Sequence, residues 1–133
     1  MILPTLLLTF LCSLATSDPI YFDITIHCDL SFSRWCGDLY VLEKDFFVHD
    51  VLPQIDFCAT EHHKNYTFTV TPGGDFSNEY EFAYVLNHNC TTDGKIRCLK
   101  PSSTTDVPVA MEQSVRFDIE AADNGEQFMC SNP

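Results

Sequence analysis

Alternation constrains this chain most. From Ile20, the residues Ile20, Phe22, Ile24, Ile26, Cys28 and Leu30 fall on one side of an extended backbone, and Tyr21, Asp23, Thr25, His27 and Asp29 on the other. A period of two is a half-buried strand, because successive side chains point to opposite faces. The pattern returns at Asn65–Thr71, where Tyr66, Phe68 and Val70 oppose Thr67 and Thr69. It returns again at Ser114–Ala121, where Val115, Phe117, Ile119 and Ala121 oppose Arg116, Asp118 and Glu120. Cys36–Glu43, Leu52–Thr60, Tyr80–Leu86, a segment opened by Cys98, Val107–Met111 and Gln127–Cys130 add shorter strand candidates. Pro53 marks its strand as an edge or a strand start, since proline cannot donate to a ladder. Pro72-Gly73-Gly74-Asp75, Thr91-Thr92-Asp93-Gly94 and Asp123-Asn124-Gly125 supply reversals. No stretch keeps a 3.6-residue period; residues 75–80 or 109–114 have room for one helical turn. About seven to eight short strands without helices predict an all-β, immunoglobulin-like β-sandwich rather than a barrel, because each strand shows one apolar face.

The front of the chain is different in kind. Ile2–Leu14 is almost wholly apolar and carries no charge, and Ala15-Thr16-Ser17 places small residues before Asp18-Pro19. That is the outline of a secretory signal peptide over residues 1–17. The run is shorter than the roughly 20 apolar residues of a membrane span. The expected mature product is a single extracellular domain, residues 18–133, with no transmembrane segment.

Export agrees with the cysteines. Of seven, Cys12 leaves with the signal, and Cys28, Cys36, Cys58, Cys90, Cys98 and Cys130 remain. An even set in an oxidising compartment implies three disulfides, and the absence of any C-x-x-C pair argues against zinc. Cys90 and Cys98 flank the Asp93-Gly94 reversal, so they are expected to lie opposite each other and pair. A hairpin centred near Phe47 sets Cys36 opposite Cys58. This leaves Cys28 with Cys130, tying the first strand to the last, out of roughly fifteen possible connectivities. Asn65-Tyr66-Thr67 and Asn89-Cys90-Thr91 are glycosylation sequons, the second with a cysteine inside it.

The net charge is −12, which argues against nucleic acid as a partner and against adsorption on anionic membrane. The candidate chemistries are weak. His62-His63 beside Glu61 lack a third metal ligand at useful spacing and read as a solvated turn. Glu43, Asp45 and Asp50 do not follow the calcium-loop pattern. His88 next to Cys90 cannot be a nucleophilic pair once Cys90 is in a disulfide, because no thiolate is left. An enzyme would need two of His27, His49, His62 and His88 to converge with carboxylates. No catalytic residue, cofactor or metal is assigned. The aromatic surplus in or near loops (Trp35, Phe46, Phe47, Phe76) marks either an interaction site, with Phe46 and Phe47 as the candidate loop, or side chains that cap the ends of the sandwich.

Ile24-Thr25-Ile26, Tyr40-Val41-Leu42-Glu43-Lys44-Asp45, Phe68, and above all Tyr84-Val85-Leu86-Asn87-His88-Asn89-Cys90 followed by Cys98 come in the order and spacing of a known family. In these segments, over roughly Ile20–Glu120, the chain resembles the nematode transthyretin-like secreted proteins. The resemblance implies a sandwich of two four-stranded sheets and an extracellular binding or signalling role. Some members of that family are similar to bridging molecules for phosphatidylserine or cell-surface receptors. The chain departs from the family pattern at Cys28, Phe32 and Asn65. Related folds include a hydrolase ending in Tyr-Arg-Gly-Ser; this chain ends Cys130-Ser131-Asn132-Pro133. The expected function is therefore that of a secreted, non-enzymatic binding or adaptor protein, monomeric or weakly homo-oligomeric. It would contact a protein receptor, a lipid headgroup or a small apolar ligand. The alternatives are a structural or host-directed effector protein and, behind these, a small hydrolase.

Overall fold

A computed structural model describes residues 19–31, 33–44, 49–72, 79–109 and 112–131. They form eight strands and, among the described residues, no helix: β1 (Ile20–His27), β2 (Trp35–Lys44), β3 (His49–Ala59), β4 (His63–Val70), β5 (Glu79–His88), β6 (Arg97–Leu99), β7 (Thr105–Pro108) and β8 (Gln113–Glu120). One sheet has the order β4-β1-β8. The other has β3-β2-β5-β6, with β7 pairing the far half of β5. The result is a disulfide-stapled β-sandwich of three and five strands, not two sheets of four. The expected strand at Gln127–Cys130 is reduced to one bridge, Cys98 with Glu126.

The alternating segments became the three-stranded sheet. β1 pairs antiparallel with β4 and parallel with β8, so its apolar row faces the core between two like rows. Ile20, Phe22, Ile24 and Ile26 are all at or below 2% exposure. Phe22 is the hub. Its ring stacks on Phe68 of β4 at 4.9 Å, meets Phe82 of β5 edge-on at 5.0 Å and lies 6.2 Å from Phe117 of β8. One side chain thus packs against both neighbouring strands and the opposite sheet, with the offset and edge geometries that aromatic quadrupoles favour.

The β2–β3 hairpin has the expected register. Cys36 faces Cys58 and is bonded to it. The register slips between Tyr40 and Leu42, next to Pro53, whose missing N–H suits an edge strand with a bulge. Gly37 faces Phe57 across this hairpin. A Cβ at Gly37 would stand 2.6 Å from the Phe57 ring, so the glycine makes room for the ring. Trp35, one of the aromatics near loops, takes the packed alternative and is 2% exposed. It packs edge-on against Phe57 at 5.2 Å and donates its indole N–H to the Glu61 carbonyl at 2.8 Å. Phe46, Phe47 and Phe76 lie outside the described residues.

Two disulfides differ from expectation. Cys28 bonds Cys90, and Cys98 bonds Cys130. The reason is register. On the β5–β6 ladder, Cys98 faces Asn87 and Arg97 faces His88, so Cys90 lies beyond the paired residues. Asp93-Gly94 does reverse the chain, with Gly94 at φ 71°, but within a loop too wide to set the two cysteines face to face.

A candidate binding surface around an asparagine-histidine knot

Asn87-His88-Asn89-Cys90 closes one end of the sandwich, and each residue holds a different part of the chain. Asn87 Oδ1 accepts from the Cys130 N–H at 2.7 Å, and its Nδ2 donates to the Cys130 carbonyl at 3.4 Å. Asn89 does the same for Cys36: its Oδ1 accepts from the Cys36 N–H at 2.7 Å, and its own N–H donates to the Cys36 carbonyl at 3.1 Å. Cys90 is bonded to Cys28. His88, 1% exposed, reaches the Asn124 carbonyl through Nε2 at 2.9 Å and the Cys90 N–H through Nδ1 at 3.2 Å. A carbonyl only accepts and an N–H only donates, so the ring is neutral with its proton on Nε2. Burial pushes the His88 pKa below its usual range. Both nitrogens are committed, so His88 holds structure in place.

The same end gathers the polar turns. Asp123 sits at φ 52°, donates its N–H to the Cys90 carbonyl at 2.9 Å, and takes bonds from Thr92 N–H and Oγ1 on its carboxylate. Arg97 donates to the Asp123 carbonyl at 2.8 Å. Gly125 has φ 102°, and a Cβ there would meet the Cys98 carbonyl at 2.5 Å. Only glycine lets the backbone of Glu126 reach Cys98, where two N–H···O bonds of 2.9 and 2.8 Å start the C-terminal strap.

The strap runs from Glu126 to Cys130 over the outer face of the five-stranded sheet. It is tied by that bridge, by Asn87 and by the Cys98–Cys130 bond. Its Cys130 forms a second, smaller core with Tyr40, Leu42, Val85 and Cys98. Phe128 and Met129 of the strap are 56% and 60% exposed. Met129 and Ile96, itself 41% exposed, border a groove of about 210 Å³ floored by Gly37, Asp38, Asn87 and Asn89. Asp38 also faces Asp56 directly across β2–β3. Gln54 Nε2 donates to Asp38 Oδ1 at 3.2 Å and to Tyr40 Oη at 3.0 Å. The hydrogen bond with Asp38 raises the Asp56 pKa, because two opposed carboxylates hold one proton more readily than either alone. The bond to Asp38 likewise pushes the Tyr40 phenol up to about 12. The groove is bordered by apolar side chains and carries one carboxylate, Asp38, in its floor.

Among the described residues, the remaining predicted ones do not converge. Asn65 is exposed on β4, while Asn89 is half-buried with its Oδ1 engaged and Thr91 fully buried beside it. His27 lies 3.8 Å from Asp118 on the outer face of the other sheet. His63 is exposed on β4, and the His62 ring bonds the Cys28 carbonyl at 3.1 Å. Glu43 is buried; Asp45 and the side chains of His49 and Asp50 lie outside the described residues. Among the described residues no three His, Cys, Asp or Glu side chains are grouped to hold a metal, and no helix is long and apolar enough to cross a membrane. The strap escaped sequence reasoning because Phe128-Met129 reads as an ordinary terminal strand. Its only signal was the pair of flanking anchors, Gly125 and Cys130.

Among proteins of known sequence, the chain is 30% identical over 93 residues to the uncharacterized protein B0416.7 of Caenorhabditis elegans, covering 67% of this chain and 70% of that protein. No solved structure matches it. Residues 23–133 match the family described as Caenorhabditis elegans protein of unknown function (DUF870), and to this nematode family the chain belongs.

Proposed function

We propose that this is a secreted binding protein, and that its contact surface is the strap-and-groove face of the five-stranded sheet. One observation carries the reading. Two large apolar side chains, Ile96 and Met129, are exposed on the border of one groove, and a third, Phe128, is exposed next to Met129 on the same strap, which the Cys98–Cys130 bond and hydrogen bonds hold in place. Fixed exposed apolar groups favour association because little ordering entropy is lost on contact. The groove, at about 210 Å³, is smaller than the roughly 300–1,000 Å³ of small-molecule pockets. Its size suits a side chain of a protein partner, and Asp38 in its lining suits a basic one. Export is supported by the apolar Ile2–Leu14 run, the three disulfides and the exposed Asn65 sequon. A transthyretin-like kinship belongs to the same proposal, supported by the two-sheet sandwich and by the Asn87–Cys90 segment at the end of β5.

The test is photo-crosslinking from a benzophenone side chain at position 128 of the mature chain, on intact nematode tissue. A discrete extracellular protein adduct, competed by unlabelled chain and lost in a Met129→Ser, Ile96→Ser variant of unchanged disulfide map, is expected. Adducts only with phospholipid, or adducts indifferent to those two changes, would sink the reading.

A further inference from the structure

Every open sheet carries edges, and an edge of unpaired N–H and C=O groups is a template for another strand. Three of the borders here are blunted. β3 carries Pro53 and a bulge opposite Tyr40/Leu42. β6 has three residues and is bridged by Glu126, and β7 has four and ends in Pro108. β4 bears the Asn65 sequon at mid-strand. β8 differs. It has eight residues, regular pairing with β1, no proline, and no described strand on its other side.

The backbone phase of that edge is readable. Gln113 donates its N–H to the Pro19 carbonyl and Ala121 donates to the His27 carbonyl, both on the β1 side. Alternate residues of a ladder bond to the same side. The amides and carbonyls of Ser114, Arg116 and Asp118 and the amide of Glu120 therefore point to the open edge, while the Glu120 carbonyl accepts from Asn124 Nδ2 at 2.9 Å. Their side chains all stand on the outer face of the sheet, and Arg116 and Asp118 are 68% and 54% exposed.

We propose that β8 is a self-pairing edge: two copies of this chain associate through antiparallel β8 strands about a two-fold axis at Phe117. Only registers that bring outward-pointing residues together form the ladder. A two-fold centred on Arg116 sets Arg116 against its own copy, and one centred on Asp118 sets two aspartates face to face. Centred on Phe117, every Arg116 meets an Asp118 of the other copy, and every Ser114 meets a Glu120. No like charges oppose, and the pairing runs from Ser114 to Glu120. Cross-strand pairs of opposite charge stabilise, and like charges directly opposite destabilise. The Arg116–Asp118 ion pairs within each chain, 3.0 Å long, exchange one for one for two such pairs between chains. The partner is fixed as a second copy because the edge is complementary to itself. The product is a continuous six-stranded sheet, β4-β1-β8 joined to its two-fold mate.

Sedimentation equilibrium of the mature chain at physiological salt tests this, with a charge swap as control. Wild type is expected to dimerise with concentration. Arg116→Asp and Asp118→Arg should each weaken the dimer about tenfold, because each sets like charges opposite. The double swap should restore wild-type association. Hydrogen exchange at the Arg116 and Asp118 amides should slow as concentration rises. Both side chains are exposed, so near-UV circular dichroism should be unchanged in all variants. A chain that stays monomeric throughout, single reversals that associate like wild type, or a double swap that fails to restore the dimer would overturn the proposal.

Discussion

The three-stranded sheet gives the core one face and solvent the other: buried and open residues alternate along β1, and β8 does the same with exposed polar residues. The five-stranded sheet does not. β2 buries Leu39 through Glu43 in unbroken succession, and β5 buries Val85 through His88. Its inner face joins the main core, and on its outer face Tyr40, Leu42 and Val85 pack with Cys98 and with Cys130 of the strap. A sheet covered once needs only alternation; a sheet covered twice needs something to hold the second cover down. Here that is the Cys98–Cys130 bond, the Asn87 clamp and the Glu126 bridge. Such a cover brings Phe128 and Met129 to the surface in fixed positions.

The comparison makes graded predictions. Breaking the hub shared by both sheets should cost most: Phe22→Ala is expected to destabilise by about 3–5 kcal/mol in chemical denaturation, as buried aromatic truncations do. Replacing Cys28 and Cys90 together by alanine, which opens a closure spanning 62 residues, should cost about 4 kcal/mol in the chain-entropy account. The same change at Cys36 and Cys58, spanning 22 residues, should cost about 3 kcal/mol. Asn87→Ala touches the strap alone. It leaves the buried Cys130 N–H without its acceptor and should cost about 1–3 kcal/mol. Its mark is local: proteolysis and hydrogen exchange should rise over 126–131 and stay unchanged in β1, β4 and β8.

How much of this was legible in the sequence follows from the same contrast. β1, β4 and β8 were readable because one face of each meets water, so polarity reports burial. The β2–β3 register was readable because Cys36 and Cys58 are equidistant from the turn. The strap was not readable. Where both faces of β2 and β5 are buried, apolar residues run together and alternation carries no signal. The Cys90–Cys98 pairing failed for a related reason: sequence proximity across Asp93-Gly94 says nothing of whether the loop holds the cysteines in register. Asn87-His88-Asn89-Cys90 could be noticed as a motif but not understood, because its partners Cys130, Asn124, Cys36 and Cys28 come from four distant segments. Ile96, Phe128 and Met129 are exposed only because of where the strap is tied.

Two smaller effects separate the knot from the Asp38–Asp56 pair by their response to acid. His88 has its folded-state pKa lowered by burial, so the unfolded chain binds that proton more readily. Its contribution is full above the ordinary histidine pKa of about 6.5 and is lost as pH falls below it. His88→Gln should flatten that slope in denaturant midpoints measured through the range. Asp56 is shifted the other way, upward, by its hydrogen bond with Asp38. The folded chain holds this proton more readily, so the pair favours folding in acid and loses that contribution as pH rises through the raised pKa. Asp56→Asn should therefore raise the midpoint slightly at neutral pH and leave it unchanged in acid.

Disulfide mapping of the non-reduced mature protein by mass spectrometry reads directly how the C-terminal strap is tied. Peptides linking Cys28 to Cys90, Cys36 to Cys58 and Cys98 to Cys130 are predicted. A peptide joining Cys90 to Cys98, or Cys28 to Cys130, would contradict this arrangement, because the strap would then have no covalent hold on the sheet that it covers.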